Sequence, residues 1–259
     1  GNEKFFSNKW VVAAAYLLLA GCTTAFIITN WEFTLFDDAG FLLRYLGNFA
    51  KGYFYSFNPQ DGPVFGISSF SYGLITGLLC MTHLATPDQS IVVASVMGLT
   101  GICFFLLKIL QRYGMNAMQL LLSFLVILFG SKFFLNSMTT GMETPVHLAI
   151  VMSAVFLFVA KKSSAMWLML TVSVISKLDA VPLAVTLGSI HLLENRKNLF
   201  PLSWKNKAWK EMTLFCLLPL SAWIVFAFAV FGSPLPQSAY SKIYFHFHGS
   251  DHWFPFLQY

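Results

Sequence analysis

Apolar and polar positions alternate along this chain in long blocks, and the blocks predict helices of membrane-crossing length. The first apolar run, 10–29, follows Lys4 and Lys9 and precedes Trp31, Glu32, Asp37 and Asp38. Basic residues collect on the cytoplasmic side of membrane helices, so the amino terminus is predicted inside and the paired aspartates outside. From 38 to 51 the period changes. Ala39, Leu42, Leu43, Leu46 and Ala50 recur at helical spacing, while Asp37, Arg44, Asn48 and Lys51 form the opposite stripe. That pattern predicts an amphipathic helix lying in the membrane interface. The segment "GYFYSFNPQDGPVFG" follows as an outer loop punctuated by Gly and Pro.

Further along, 91–110, 117–130, 145–160 and 213–231 read as spans. The run 70–85 is apolar but short. If it crossed, the basic "LKILQRYG" turn would fall outside, so a re-entrant or interfacial helix is predicted there. Two shorter helices, 165–174 and 183–193, flank a break at "SKLDAVP". This topology puts Lys108, Arg112, Lys161, Lys162, Arg196, Lys197, Lys205, Lys207 and Lys210 inside with Lys4 and Lys9. Outside it leaves Arg44, Lys51, Lys132, Lys177 and Lys242. No internal repeat or inverted pair of broken helices marks a transporter core.

Composition agrees with the pattern. Of 259 residues, 57% are hydrophobic and 10% charged, with a mean hydropathy of +0.67. A soluble domain carries about a quarter charged residues. An all-α polytopic membrane protein is therefore expected, with room for about six to eight crossings. Residues 1–259 are read as a single transmembrane domain. The start at Gly1 and the stop at "FPFLQY" are read as those of the amino-terminal part of a longer protein. The net charge of +5 is spread through short loops without aromatic platforms, which argues against a nucleic-acid partner. Cys22, Cys80, Cys103 and Cys216 all lie in apolar runs and read as small core residues. The "LAGC" box at 19–22 resembles a lipoprotein cleavage site, but its apolar run is about twice as long as a signal-peptide core.

The candidate chemistry gathers on one side. Asp37, Asp38, Arg44, Glu143, Lys177, Asp179 and Lys242 all fall at the predicted outer surface. Each alone reads as a snorkelling or interfacial charge; together, carboxylates facing cations make a site for an anionic head group needing a general base. The "HFHGSDH" loop offers His246, His248, Asp251 and His252 at a spacing compatible with a metal, although an aromatic interfacial loop with surface histidines accounts for it better.

The motifs around these residues resemble those of GT-C-type glycosyltransferases, nearest to the bacterial terminal arabinofuranosyltransferase-like group. Asp37-Asp38-Ala39, Arg44-Tyr45, Phe57-Asn58-Pro59 and Gly66 with Ser68-Ser69 follow the order of that group's first outer loop. "SMTTGMETPVHLAI" is similar to its G-x-E-T segment, giving Gly141, Glu143 and Thr144. "FGSPLPQSAYSKI" is similar to its L-P-N-T-x-Y-x-K segment, through Leu235, Pro236, Tyr240 and Lys242. The chain departs from the pattern at Gly40, at Lys177-Leu178-Asp179 and at Gln237.

The resemblance implies a GT-C-like transmembrane helix bundle with interfacial helices in the first outer loop. It implies sugar transfer, with inversion, from a polyprenyl-phosphate donor to a hydroxyl of a glycan, lipid or protein acceptor on the extracytoplasmic face of a bacterial inner membrane. Asp37 would be the base, with Asp38 orienting it. Lys177, Lys242 and Arg44 would stabilise the leaving phosphate, and Glu143, Asp179 and Tyr240 would complete substrate binding. Cations in place of a divalent ion imply no metal and no cofactor. The alternative is a membrane transporter or a non-catalytic scaffold subunit of an envelope-glycan pathway.

Overall fold

The computed structural model describes residues 20–25, 27–29, 37–115, 119, 122–123, 126, 137–195 and 207–240. Among them the chain is helical, with no strand. Of the predicted span 10–29, only 20–25 and 27–29 are described, and they are helical. The predicted span 117–130 lies almost wholly outside the described residues.

Helix α1 (Asp37–Ala50) forms where the amphipathic period predicts. Its apolar face meets protein, however, instead of lipid: Ala39, Leu42, Tyr45, Leu46 and Phe49 are all buried. The covering element is α2 (Phe70–Met81), reached through the loop 51–69. Asn48 departs from the predicted solvated stripe. It is buried, and its amide donates to the carbonyls of Ser56 (2.8 Å) and Phe57 (2.9 Å), which folds the loop back over the helix end. Gly52 ends α1 at φ +86, and its N–H donates to the Phe49 carbonyl, a left-handed cap that favours glycine.

Tyr55 anchors the return loop. It takes a positive φ of 47°, a conformation that costs a non-glycine residue about 1–2 kcal/mol. Its ring is wholly buried among Phe49, Phe65, Phe70 and Phe231, and its hydroxyl donates to the Phe70 carbonyl at 2.8 Å. Burying so large a ring offsets the strain. Gly77 of α2 permits the close approach, since a Cβ there would sit 2.8 Å from the Phe49 ring.

The 12 residues of α2 extend about 18 Å, well short of the ~30 Å hydrocarbon core, in keeping with a helix that does not cross. Helix α3 (Pro87–Arg112) opens with a capping box between Thr86 and Gln89 and runs for 26 residues. It packs closely on α4 (Thr144–Val159). Gly98 abuts the Pro145 backbone and Gly101 abuts Ala149. Helix α5 (Ser163–Ser176) ends at the predicted break, where a 3₁₀ turn (Leu178–Ala180) leads into α6 (Val181–Glu194). Helix α7 (Lys207–Met212) continues through a π turn (Thr213–Leu217) into α8 (Leu218–Phe231). There the Thr171 hydroxyl of α5 donates to the Phe215 carbonyl at 3.2 Å. Pro219, the second residue of α8, has no N–H to give the Phe215 carbonyl four residues back, which leaves that carbonyl open to the Thr171 hydroxyl.

Two of the described helical runs are long and apolar enough to cross a membrane: Pro87–Arg112 and Lys207–Phe231. The predicted span at 145–160 and the predicted shorter helix at 165–174 are helices of 16 and 14 residues, apolar but below the ~20 residues of a straight crossing. The described residues thus give fewer full-length crossings than hydropathy alone predicts. Hydropathy registers apolar content, whereas helix length here is cut by the tight turn at Lys161, with φ +55, and by the extended Lys177.

Candidate functional site

Five stretches far apart in sequence meet around one cavity of about 460 Å³. The first turns of α1 contribute Ala39, Phe41 and Leu42, and the return loop contributes Gly66, Ile67 and Ser68. The segment before α4 brings Gly141 to Glu143, the α5–α6 break brings Lys177 to Asp179, and Pro236, Ser238 and Ala239 close the wall. Three bonds hold the other four stretches together around α1. Tyr72 donates to the Gly141 carbonyl at 2.8 Å, holding the left-handed Gly141 in place. The Ser69 and Ser176 hydroxyls meet at 3.2 Å and tie α2 to α5. The Gln237 N–H donates to the Phe65 carbonyl at 2.8 Å, drawing the 233–240 segment against the loop.

At the centre lies a largely buried ion pair. Glu143 is 7% exposed and precedes α4. Lys177 Nζ lies 2.8 Å from Glu143 Oε1, which also accepts the Ser68 hydroxyl at 3.0 Å. Asp179, largely exposed, reaches the same Lys177 ammonium at 3.4 Å. Burial pushes the Glu143 carboxyl up, but the hydrogen bond and charge of Lys177, its own backbone N–H and Ser68 outweigh burial and leave it below its ordinary value. For Lys177, burial lowers the ammonium, while Glu143 and then Asp179 more than compensate and hold it above its ordinary value. Both groups are therefore charged at neutral pH. The pair is a fixed, low-mobility charge arrangement with one cation set against two carboxylates.

Of the residues singled out in the sequence, Glu143, Lys177 and Asp179 come together in this cavity. Asp37 and Asp38 form the first turn of α1, directly before the cavity-lining Ala39; their side chains lie outside the described residues. Lys242 lies outside them too, as do His246, His248, Asp251 and His252. Tyr240 does not line the cavity. Its hydroxyl accepts from Ser233 at 3.0 Å, while its neighbours Ser238 and Ala239 form the wall. Arg44 departs from the expected phosphate contact. It is exposed, its Nε donates to the Phe57 carbonyl at 3.0 Å, another guanidinium nitrogen bonds Asn58 Oδ1, and its charge lies over the Phe57 ring. It braces the loop.

Sequence reasoning passed over Phe41 as a site residue and gave no role to Ser68 or Tyr72. The one signal at Ser68 is its place in the Gly66, Ser68-Ser69 stretch of the sequence resemblance. Among the described residues no cluster of three His, Cys, Asp or Glu could hold a metal ion. The chain matches no family model, no curated protein and no solved structure.

Proposed function

We propose that this protein is a polytopic membrane glycosyltransferase of the GT-C kind. It would transfer a sugar from a polyprenyl-phosphate donor to an acceptor hydroxyl on the extracytoplasmic face of a bacterial inner membrane. One observation carries the reading. The first turn of α1, the Gly66–Ser68 stretch, the Gly141–Glu143 stretch, Lys177–Asp179 and the 236–239 stretch all border one cavity. Four of the segments in the sequence resemblance, those at Ala39, Gly66–Ser68, Gly141–Glu143 and Pro236, are thus neighbours in space, and the divergent Lys177–Asp179 stretch joins them.

In the proposed reaction the acceptor O–H gives its proton to Asp37 as its oxygen attacks the anomeric carbon. The bond from that carbon to the lipid phosphate breaks with inversion, and the phosphate leaves with the electron pair. Placement at a helix amino terminus favours the charged form of a carboxylate, which is the form a base needs. Lys177 is the described cation best placed to meet the developing phosphate charge. Its countercharges give it a fixed position, and Asp179, the more exposed partner at the longer distance, is the one a phosphate displaces. Glu143 then keeps the ammonium aimed into the cavity and offers its carboxylate to a sugar hydroxyl.

The test is reconstitution of the purified chain in proteoliposomes with a panel of radiolabelled polyprenyl-phosphate sugars. Loss of sugar from the lipid with release of polyprenyl phosphate supports the reading. Substrate-dependent flux across the bilayer with the lipid-linked sugar unchanged would replace it with a transporter, and neither outcome at any donor points to a scaffold.

A further inference from the structure

A large aromatic side chain at the edge of a charged cavity calls for an explanation. Phe41 lines the cavity and is 46% exposed, on the same helix where Ala39, Leu42, Tyr45, Leu46 and Phe49 are buried. Its ring is nevertheless fixed. It stacks on Phe57 with centroids 4.3 Å apart and planes 19° from parallel, and Tyr45 lies tilted against it at 5.8 Å. Phe57 is held in turn. Its carbonyl accepts from both Arg44 Nε and the buried Asn48 amide, and the Arg44 guanidinium sits 4.3 Å from its ring centroid. Gly66 lies beside the arrangement: a Cβ there would meet the Tyr45 hydroxyl at 2.3 Å and Phe41 Cε1 at 3.6 Å. Glycine leaves the Tyr45 ring, which lies against Phe41, where it is.

Resting on the reading of the cavity as a sugar site, we propose that Phe41 is the platform on which a sugar ring stacks, with Phe57 and Arg44 as its positioning residues. A pyranose carries both kinds of surface this cavity offers to match. One face presents aligned C–H groups, which pack on an aromatic face, and the rim presents hydroxyls, which bond to carboxylate and ammonium. Phe41 supplies the first, and Glu143, Lys177 and Asp179 supply the second from elsewhere on the cavity lining. The volume of about 460 Å³ lies within the ~300–1,000 Å³ range of small-molecule sites. Preorganisation is the use of the stack: a ring already immobilised by Phe57 loses little freedom when a ligand settles on it. By bracing the loop, Arg44 thereby also holds the ring on which Phe41 stacks.

The experiment is saturation-transfer-difference NMR on the full chain in nanodiscs, with methyl β-D-galactopyranoside and methyl β-D-glucopyranoside as probes. Wild type is expected to bind the galactoside more tightly, with saturation concentrated on the C–H groups of its more apolar face. Phe41→Leu, which keeps apolar bulk, is expected to weaken binding about tenfold, and Phe41→Trp to preserve it. Arg44→Gln is expected to weaken it about threefold through a loosened Phe57. If Phe41→Leu fails to fold, the wild-type saturation pattern decides alone. Uniform saturation around the sugar, or Phe41→Leu binding as wild type does, overturns the platform while leaving a sugar site in place. No glycoside binding by wild type, at concentrations where the donor is still turned over, also overturns the platform alone. No glycoside binding together with no donor turnover overturns the sugar reading itself.

Discussion

Replacing Lys177 by Met isolates the energetics of the central ion pair. Glu143 is 7% exposed, and Lys177 is the cation within salt-bridge distance of its carboxylate. Without the ammonium, burial is opposed only by Ser68 and the residue's own backbone N–H, so the folded-state carboxyl moves above its ordinary 4.5. Leaving a buried charge unpaired costs about 3–5 kcal/mol, but the carboxyl can escape by taking a proton. From an unfolded-state value near 4.5, protonation costs about 3 kcal/mol at pH 7 and under about 1 kcal/mol at pH 5. The deficit of Lys177→Met is therefore capped near 3 kcal/mol at pH 7 and shrinks as the pH falls. The sign is opposite to that of wild type. There the lowered carboxyl adds stability above its unfolded value, and that stability is lost as the pH drops through its folded value. Thermal unfolding in nanodiscs at pH 5 and pH 7 reads the effect, with a Tm loss of about 6–12 °C at pH 7 and a few degrees at pH 5. Adding Glu143→Gln to the same chain removes the charge and should restore most of the loss at pH 7. Equal losses at both pH values, or no rescue by the second substitution, would refute this account of the pair.

Wild-type stability should plateau between the ordinary values of the two partners, 4.5 for Glu143 and 10.5 for Lys177, falling below the first and, as Lys177 deprotonates through its raised value, above the second; unfolding followed across pH checks both edges. Gly98→Ala would place a Cβ 2.4 Å from the Pro145 carbonyl carbon, a backbone atom that cannot swing aside, so α3 and α4 must separate at a cost of about 1–3 kcal/mol in unfolding. Asn48→Ala strips the Ser56 carbonyl of its buried donor and leaves the Phe57 carbonyl with Arg44 alone, and should cost about 1–3 kcal/mol, with faster proteolysis of the 51–69 loop as a local readout.

The sequence made parts of this arrangement legible for identifiable reasons. Helix α1 was readable because its buried residues follow the helical period, and the α5–α6 break because Pro182 and Asp179 interrupt an apolar run. Glu143, Lys177 and Asp179 stood out because charge is rare in such a chain, so their common side was informative. Arg44 and Asn48 carried the same polar signal but different physics. Their groups bond carbonyls of a loop whose path no periodicity describes. Phe41 was invisible for the opposite reason, since one more aromatic in an apolar chain carries no contrast. The π turn at Thr213–Leu217 was not read although Pro219 leaves the Phe215 carbonyl without its helical donor; what the sequence hides is the Thr171 hydroxyl that bonds it from another helix. Helix bounds at α4 and α5 were legible, 145–160 and 165–174 against Thr144–Val159 and Ser163–Ser176, but at 16 and 14 residues neither helix reaches the length of a straight crossing.

The central claim is that the carboxylate heading α1 is the base for sugar transfer at this cavity. The most direct measurement compares wild type with Asp37→Asn in proteoliposomes, using whichever polyprenyl-phosphate sugar wild type turns over and following both donor binding and release of polyprenyl phosphate. Asparagine keeps the size and polarity at the helix head but cannot take the proton. The account predicts donor binding within about threefold of wild type and transfer reduced by about 10²-fold or more. Transfer at the wild-type rate by a folded Asp37→Asn protein would contradict it.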